Sequence, residues 1–388
     1  MNSRATSIDA YRGFVMFLML AEVLQLPSVA KQFPESPFWR SVLFHTTHVE
    51  WVGCSLHDLI QPSFSFLVGA AIAFSIARRQ SAGQSLGRAA RHAAYRSVLL
   101  IALGIVLRSV GKPQTNFTFE DTLTQIGLGY FPLFLLAWAR RDRPAWHAVT
   151  ICLLLAAYWL AFAIFPTDVS DIREPPLWPH HMKGFESHWE KNDNLAFAVD
   201  RTILNSFPRE APFLANRGGY ATLSFFPTLA TMLLGLMAGG WLRNGMTPWK
   251  KAGLFAAVGA GLLSAGWGID ALGVGPMVKR IWTPSWVLFS GGWCFVFLAG
   301  FHAATDAIGY WGWSYPLRVI GANSILIYCI AEVPIAAFIV GTFKTHFGAN
   351  AFQILGAKPE PVVAGAAVLG VYWLGLWWLY AKKVFVRI

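Results

Sequence analysis

The chain has 388 residues, of which 55% are hydrophobic and only 13% charged, with 30 Phe and 18 Trp. No soluble domain of this size needs so much apolar surface, so the composition excludes a water-soluble globular enzyme and points to an all-α, polytopic membrane helical bundle. The net charge of +11 does not indicate nucleic acid, because Lys and Arg cluster in short segments between apolar runs, as positive-inside topology requires.

In chain order, Asp9 and Arg12 lead into a first apolar run, Gly13–Leu26, with Glu22 inside it. No convincing small-residue cleavage site follows, so this run is expected to be a membrane helix and not a cleaved signal. Pro27–Asp58 reads as a polar loop. The second run, Leu59–Ala77, has about 19 residues, enough to cross a bilayer. It stops at Arg78-Arg79, and with Arg88, Arg91 and Arg96 these form the strongest cytoplasmic marker. That marker puts the N-terminus inside and His48 outside.

Further runs are expected at about Ala94–Leu107, Thr122–Trp138, Trp146–Phe165, Ala221–Leu242, Ala252–Ala271, Pro284–His302, within Ser314–Gly341, and at Val362–Tyr380. Arg140, Arg141 and Arg143 close one inner end, and Arg243, Lys250 and Lys251 close another. Pro334 marks a kink or an end in the ninth run. About ten crossings put both termini on the cytoplasmic side, in agreement with the basic tail Lys382, Lys383 and Arg387; splitting the ninth run at Pro334 would put that tail outside.

Residues 1–388 are expected to form a single transmembrane domain with an external polar loop over 166–219. That loop carries Pro175, Pro176, His180, His181, His188, Asp193 and Asp200, and a loop this long is usually functional or a cap. Within it, Asn194–Phe207 has helical spacing. Gly69, Gly235, Gly239 and Gly240 are expected to allow close helix packing, not to bind a ligand.

Chemistry-bearing residues gather where the second run begins. His48 can take a proton from an attacking amine or hydroxyl, or can itself be acylated. Asp58, ten positions on, can orient His48 or stabilise its charged form. Both residues are equally readable as loop residues at a solvated membrane surface. Cys54, His57 and Asp58 suggest a thiol protease only by sequence proximity, and triads are set by three-dimensional geometry. The four cysteines, Cys54, Cys152, Cys294 and Cys329, form no CxxC, so no zinc or redox pair is indicated. His180, His181 and His188 lack a fourth ligand at recognised spacing, so no metal is expected. Glu22, Gln61, Gln125, Asn323, Ser324 and Glu332 lie within apolar runs, where a polar side chain faces the bundle interior. They are interhelical hydrogen-bonding groups or the lining of a substrate pathway. Arg12, Lys382 and Lys383 suit a CoA phosphate, and serve equally as topology signals.

Six stretches in order resemble the heparan-α-glucosaminide N-acetyltransferase family of transmembrane acetyltransferases. Residues 4–13, from Arg4 through Ser7, Asp9 and Arg12 to Gly13, are similar to its RxxSxDxxRG start. His48, Trp51 and Gly53 followed by Asp58-Leu59 and Pro62 resemble its HxxWxG…DLxFP segment, with Gln61 replacing the Phe. Asn194-Leu195-Ala196 with Asp200-Arg201 resembles NLAxxxDR, and Lys279 with Trp282-Thr283 and Ser285 resembles KxxWTxS. Gly321, Asn323-Ser324, Leu326 and Tyr328 resemble GxNSxLxY, and the tail at Tyr380, Lys382 and Lys383 also matches.

The resemblance implies an enzyme that moves acetyl from cytosolic acetyl-CoA to an amino sugar or sugar hydroxyl on the periplasmic or external face. It implies His48 as the active-site histidine, with Asp58 beside it. The donor is expected at Arg12, Gln125, Asn323, Lys382 and Lys383, and the acceptor at Trp51, Glu22, Asp200 and Trp282. Gln125, Asn323 or a backbone N–H of the Gly53–Asp58 turn is expected to hold the oxyanion. The partners are then acetyl-CoA, a carbohydrate, the lipid bilayer of a bacterial inner membrane and, for assembly, a homodimer, with no metal and no nucleic acid. Three departures stand out: Glu22 where the family commonly offers an asparagine, no acid at Gly218–Ala221 where it shows a DPEG-like turn, and Cys54 and His57 off its pattern. A transporter of a small polar or sugar-like solute would use the same buried polar residues, and a membrane scaffold would need none of them.

Overall fold

The computed structural model describes residues 6–140, 143–168, 170, 174 and 178–386. Arg4, Arg141, Pro175, Pro176 and Arg387 therefore lie outside the described residues. The helices are α1 (Thr6–Leu20), α2 (Leu26–Ala30), α3 (Pro37–His45), α4 (Ile60–Ser81), α5 (Leu86–Ser109), α6 (Thr122–Arg140), α7 (Pro144–Ala163), α8 (Leu195–Leu204), α9 (Phe225–Arg243), α10 (Pro248–Ala271), α11 (Pro284–His302), α12 (Tyr315–Gly321), α13 (Ser324–Glu332), α14 (Ile335–Phe347) and α15 (Glu360–Ala381). Among the described residues there is no strand, only an isolated antiparallel bridge between Val52 and Val278. The chain is an integral, multi-pass helical membrane protein: among the described residues eight helices are long and apolar enough to cross a bilayer, with α12 and α13 a further, bent pair.

Two compact units make up the chain. One holds Met1–Val49, Cys54–Ile60 and Ala304–Ile388; the other holds Glu50–Gly53 and Gln61–Ala303.

In the larger unit, α4 and α9 are the inner helices. A Cβ on Gly69 would overlap the Met232 carbonyl, and one on Gly235 would overlap the Phe66 carbonyl. These glycines let two backbones touch, as does Gly239 against Ala70, whereas Gly240 faces open space. The outer helices carry exposed apolar side chains such as Val98, Val106, Leu153, Leu160 and Trp267. Such faces suit hydrocarbon, where water would penalise them. α5 starts at Leu86, well before the apolar run expected from Ala94, because Arg is a good helix former and propensity does not stop where hydropathy does. Near residues 166–219, Trp51, Tyr158, Phe162, Trp189, Val278 and Ile281 form a buried aromatic cluster. α8 falls inside the helical spacing read at Asn194–Phe207, and Asn194 caps it by accepting from the Phe197 N–H at 3.1 Å.

In the smaller unit, α1 packs on α12. A Cβ on Gly13 would overlap the Leu317 carbonyl, and one on Gly321 would press on Asp9 and Gly13 backbone. The first apolar run is not one straight span. After Leu20 a 3₁₀ turn, Ala21–Leu24, ends at Gln25 with φ of 51°, and Pro27 opens α2. A left-handed residue followed by proline breaks the α-helical ladder. The ninth run is broken as well. α12 and α13 meet at 62°, and the Ser324 hydroxyl takes the Gly321 carbonyl at 2.9 Å. Pro334 then separates α13 from α14. In α15, Gly365 lets the helix press on the Val23 carbonyl of the 3₁₀ turn.

Candidate active site

The chain between α3 and α4 folds around one buried carboxylate. Asp58 is fully buried and sits in the 3₁₀ turn His57–Leu59 that leads into α4. A carboxylate at that end of a helix is favoured by the aligned peptide dipoles. Ser55 and Asp58 cap each other: the Asp58 N–H donates to Ser55 Oγ at 3.3 Å, and the Ser55 N–H donates to Asp58 Oδ2 at 3.1 Å. This is the reciprocal arrangement of a capping box. The Ser55 hydroxyl stands 2.9 Å from Asp58 Oδ2 and 2.7 Å from the Thr47 carbonyl, and can give its proton to one of them. The Val49 N–H adds a further donor to Oδ2 at 3.2 Å.

Asp58 Oδ1 receives His48 Nδ1 at 2.7 Å. The carboxylate is buried while 39% of the His48 side chain is exposed. The imidazole therefore has one nitrogen fixed by a buried anion and a face open to a reactant. With the proton on Nδ1, the basic lone pair is on Nε2. The arrangement can accept a proton and hold the resulting charge, which is what a general base or an acylated nucleophile requires.

His57 belongs to the same cluster. Its ring centroid is 4.3 Å from that of His48. Its Nε2 is 3.6 Å from Glu22 Oε1, whose side chain is 57% exposed. His45 accepts the Leu56 N–H at 3.4 Å. Sequence reasoning set His57 aside and did not single out Ser55. The Ser-Leu-His-Asp order at 55–58 is a capping-box signature from which Ser55 was readable; the contact between His57 and His48 has no sequence signal.

The other expected site residues fall in different places. Arg12 Nη1 pairs with Asp9 Oδ1 at 3.2 Å, one helical turn apart. Asn323 donates to the Val384 carbonyl at 3.2 Å and accepts the Val386 N–H at 2.8 Å, so it ties down the tail just after exposed Lys382 and Lys383. These residues share the smaller unit with His48, Asp58 and Glu22. Gln125, Trp51, Asp200 and Trp282 belong to the larger unit. Gln125 donates to the Phe119 carbonyl at 2.7 Å and the Thr222 carbonyl at 3.0 Å. Trp51 is fully buried, its Nε1 donating to the Trp189 carbonyl at 3.2 Å, and buried Trp282 donates to Thr231 Oγ1 at 3.1 Å. Asp200 is buried with both oxygens on the Thr222 N–H, at 3.1 and 3.0 Å. Burial pushes its carboxyl up to about 7, against the opposing pull of Thr222.

The three loop histidines each have their own partner: His181 Nδ1 lies 2.9 Å from Glu190, His188 Nδ1 2.8 Å from the Phe165 carbonyl, and His180 Nε2 3.7 Å from Glu50. Among the described residues, no three His, Cys, Asp or Glu side chains gather as a metal site.

No protein-family profile matches the chain. It is 23% identical over 422 residues to heparan-alpha-glucosaminide N-acetyltransferase of Homo sapiens, covering 99% of this chain and 60% of that protein. It is 23% identical over 368 residues to the Mus musculus protein of the same name, covering 85% of this chain and 54% of that protein. The chain thus spans less than two thirds of the length of these relatives, and the likeness, low in identity but nearly complete along this chain, supports a family relationship to them.

Proposed function

We propose that the protein is a transmembrane acyltransferase that moves acetyl from cytosolic acetyl-CoA to an amino sugar or a sugar hydroxyl on the opposite, periplasmic or external, face. The observation that carries this reading is the buried Asp58 carboxylate on His48 Nδ1. The relatives' name adds the reaction type: a membrane helical protein similar to an N-acetyltransferase is expected to transfer acetyl. The transporter reading is not favoured, because the relatives are named for acetyl transfer and not for transport.

In the proposed reaction the acceptor attacks the thioester carbonyl near His48, and the C–S bond breaks with its electron pair leaving on the CoA sulfur, which ends as the thiol. His48 Nε2 takes the acceptor proton, and Asp58 stabilises the imidazolium. The same geometry also serves a two-step route in which Nε2 carries the acetyl group first. Arg12, Lys382 and Lys383 are proposed to hold the CoA phosphates, with Gln125 and Asn323 as further donor-side amides. Glu22, Trp51, Asp200 and Trp282 are proposed to serve acceptor recognition, the buried ones by shaping it. Both ends of the chain are proposed to face the cytoplasm across a bacterial inner membrane, and a homodimer is proposed as the assembly.

The test uses the full chain purified in detergent, with radiolabelled acetyl-CoA and glucosamine. Labelled N-acetylglucosamine above the no-protein rate supports the reading. Acetyl-CoA that neither stabilises the protein against heat nor donates its label, together with stabilisation by a sugar alone, would overturn it in favour of a transporter.

A further inference from the structure

Two carboxylate–imidazole pairs lie side by side in the smaller unit: Asp58 with His48, and Glu22 with His57. The two rings touch, with centroids 4.3 Å apart and planes inclined at 51°. One carboxylate is buried and hydrogen-bonded, the other more than half exposed and 3.6 Å from its histidine. The environments of the two imidazoles therefore differ. Two rings in contact do not readily carry a positive charge each, because like charges at this range disfavour double ionisation. Pairs of titratable groups held in unlike surroundings divide acid and base roles between them.

From this geometry we infer that His57, backed by Glu22, is a second catalytic residue, the proton donor to the departing thiolate, while His48 is the base. The inference rests on the acyl-transfer reading and deepens it. The proposed reacting state carries the extra proton on His57, beside Glu22, and leaves His48 Nε2 without one. The acceptor nitrogen or oxygen bonds to the acyl carbon as its proton passes to His48 Nε2. The C–S bond breaks with its electron pair going to sulfur, and sulfur takes a proton from His57. The extra proton on His48 then crosses the ring contact to His57 and restores the reacting state. The net result is acceptor proton to CoA thiol, with no other reactant.

His45, at the end of α3, accepts the Leu56 N–H. The last helix packs on the turn that bears Glu22, and it contributes Glu360, held by Lys344 at 2.8 Å and by Gln353 at 2.8 Å, and buried Tyr372. Among the described contacts, Asp58 meets His48 and Glu22 meets His57.

The test is the pH profile of kcat with acetyl-CoA for the full-length protein and for His57→Ala, Glu22→Gln and His48→Ala. The wild type should show a bell. His57→Ala should lose about 10²-fold at the optimum, the usual worth of general acid catalysis, and lose the alkaline fall. Glu22→Gln should lower the rate less than His57→Ala does and move the alkaline fall to lower pH, because its carboxylate favours charged His57; this variant carries the test should His57→Ala not fold. A wild-type rate in His57→Ala, or a bell unchanged by both variants, would overturn the inference while His48-dependent transfer left the parent reading standing. Full activity in His48→Ala would overturn both.

Discussion

Asp58 Oδ1 lies 2.7 Å from His48 Nδ1, although the two residues are ten positions apart and only the carboxylate is buried. Neighbouring chain supports that bond: the Val49 and Ser55 N–H groups donate to Asp58, and the Thr47 carbonyl lies 2.7 Å from the Ser55 hydroxyl. Asp58→Asn keeps the shape but replaces an anion with a neutral amide, which leaves the imidazolium unsupported. Turnover should fall by about 10²-fold or more with little change in the KM for acetyl-CoA. An equal loss of folded protein would show instead that Asp58 is needed only to close the loop.

Ser55 supports Asp58 from behind. Ser55→Ala removes the hydroxyl that approaches Asp58 Oδ2 and Thr47, and so should cost about 1 kcal/mol of stability by loss of the cap. Chemical unfolding checks the stability, and a smaller loss of turnover than in Asp58→Asn is expected.

Much of this fold was legible. All of the run from Leu59 to Ala77 except Leu59, which ends the preceding 3₁₀ turn, lies within α4, and its charged stop at Arg78-Arg79 marks the last turn. What hydropathy could not supply was local backbone geometry. Glu22 read as a residue inside a straight span, but Gln25 in a left-handed conformation and Pro27 end that helix and turn Glu22 toward His57. Asn323 read as a polar group within a helix, but it stands at a bend and binds backbone of the tail. His48 and Asp58 were picked out by a motif, and distance is what that motif does not encode.

The Asn323 contacts imply a cost away from the histidines. Asn323→Ala should loosen the tail after α15, which limited proteolysis would detect. Because that tail follows Lys382 and Lys383, the KM for acetyl-CoA should rise by about tenfold, the worth of about one to two hydrogen bonds, with kcat nearly unchanged. An unchanged KM would remove the tail from donor binding.

Asp200 predicts a pH effect on stability. Its carboxyl is raised to about 7 in the fold from an ordinary value of 3.8, so between those limits the folded state binds more protons than the unfolded one. Stability from this group is then greatest below the ordinary value and is lost as pH rises through the folded value. Melting temperature should therefore fall for the wild type between about pH 4 and pH 7 relative to Asp200→Asn, in which Asn can still accept the Thr222 N–H. Parallel curves for the two proteins would contradict this.

Gly13 tests the helix contact that holds the first helix. Gly13→Val would drive a side chain into the Leu317 carbonyl, and overpacking of this kind costs about 1–3 kcal/mol. A melting temperature equal to that of the wild type would show that α1 and α12 can separate without loss.

The central claim is that His48 performs the chemistry, and its most direct measurement is acetyl transfer from acetyl-CoA to glucosamine by purified His48→Ala. The account predicts a fall of at least about 10²-fold in kcat, with the protein still folded and still stabilised by acetyl-CoA. Transfer at the wild-type rate would contradict it.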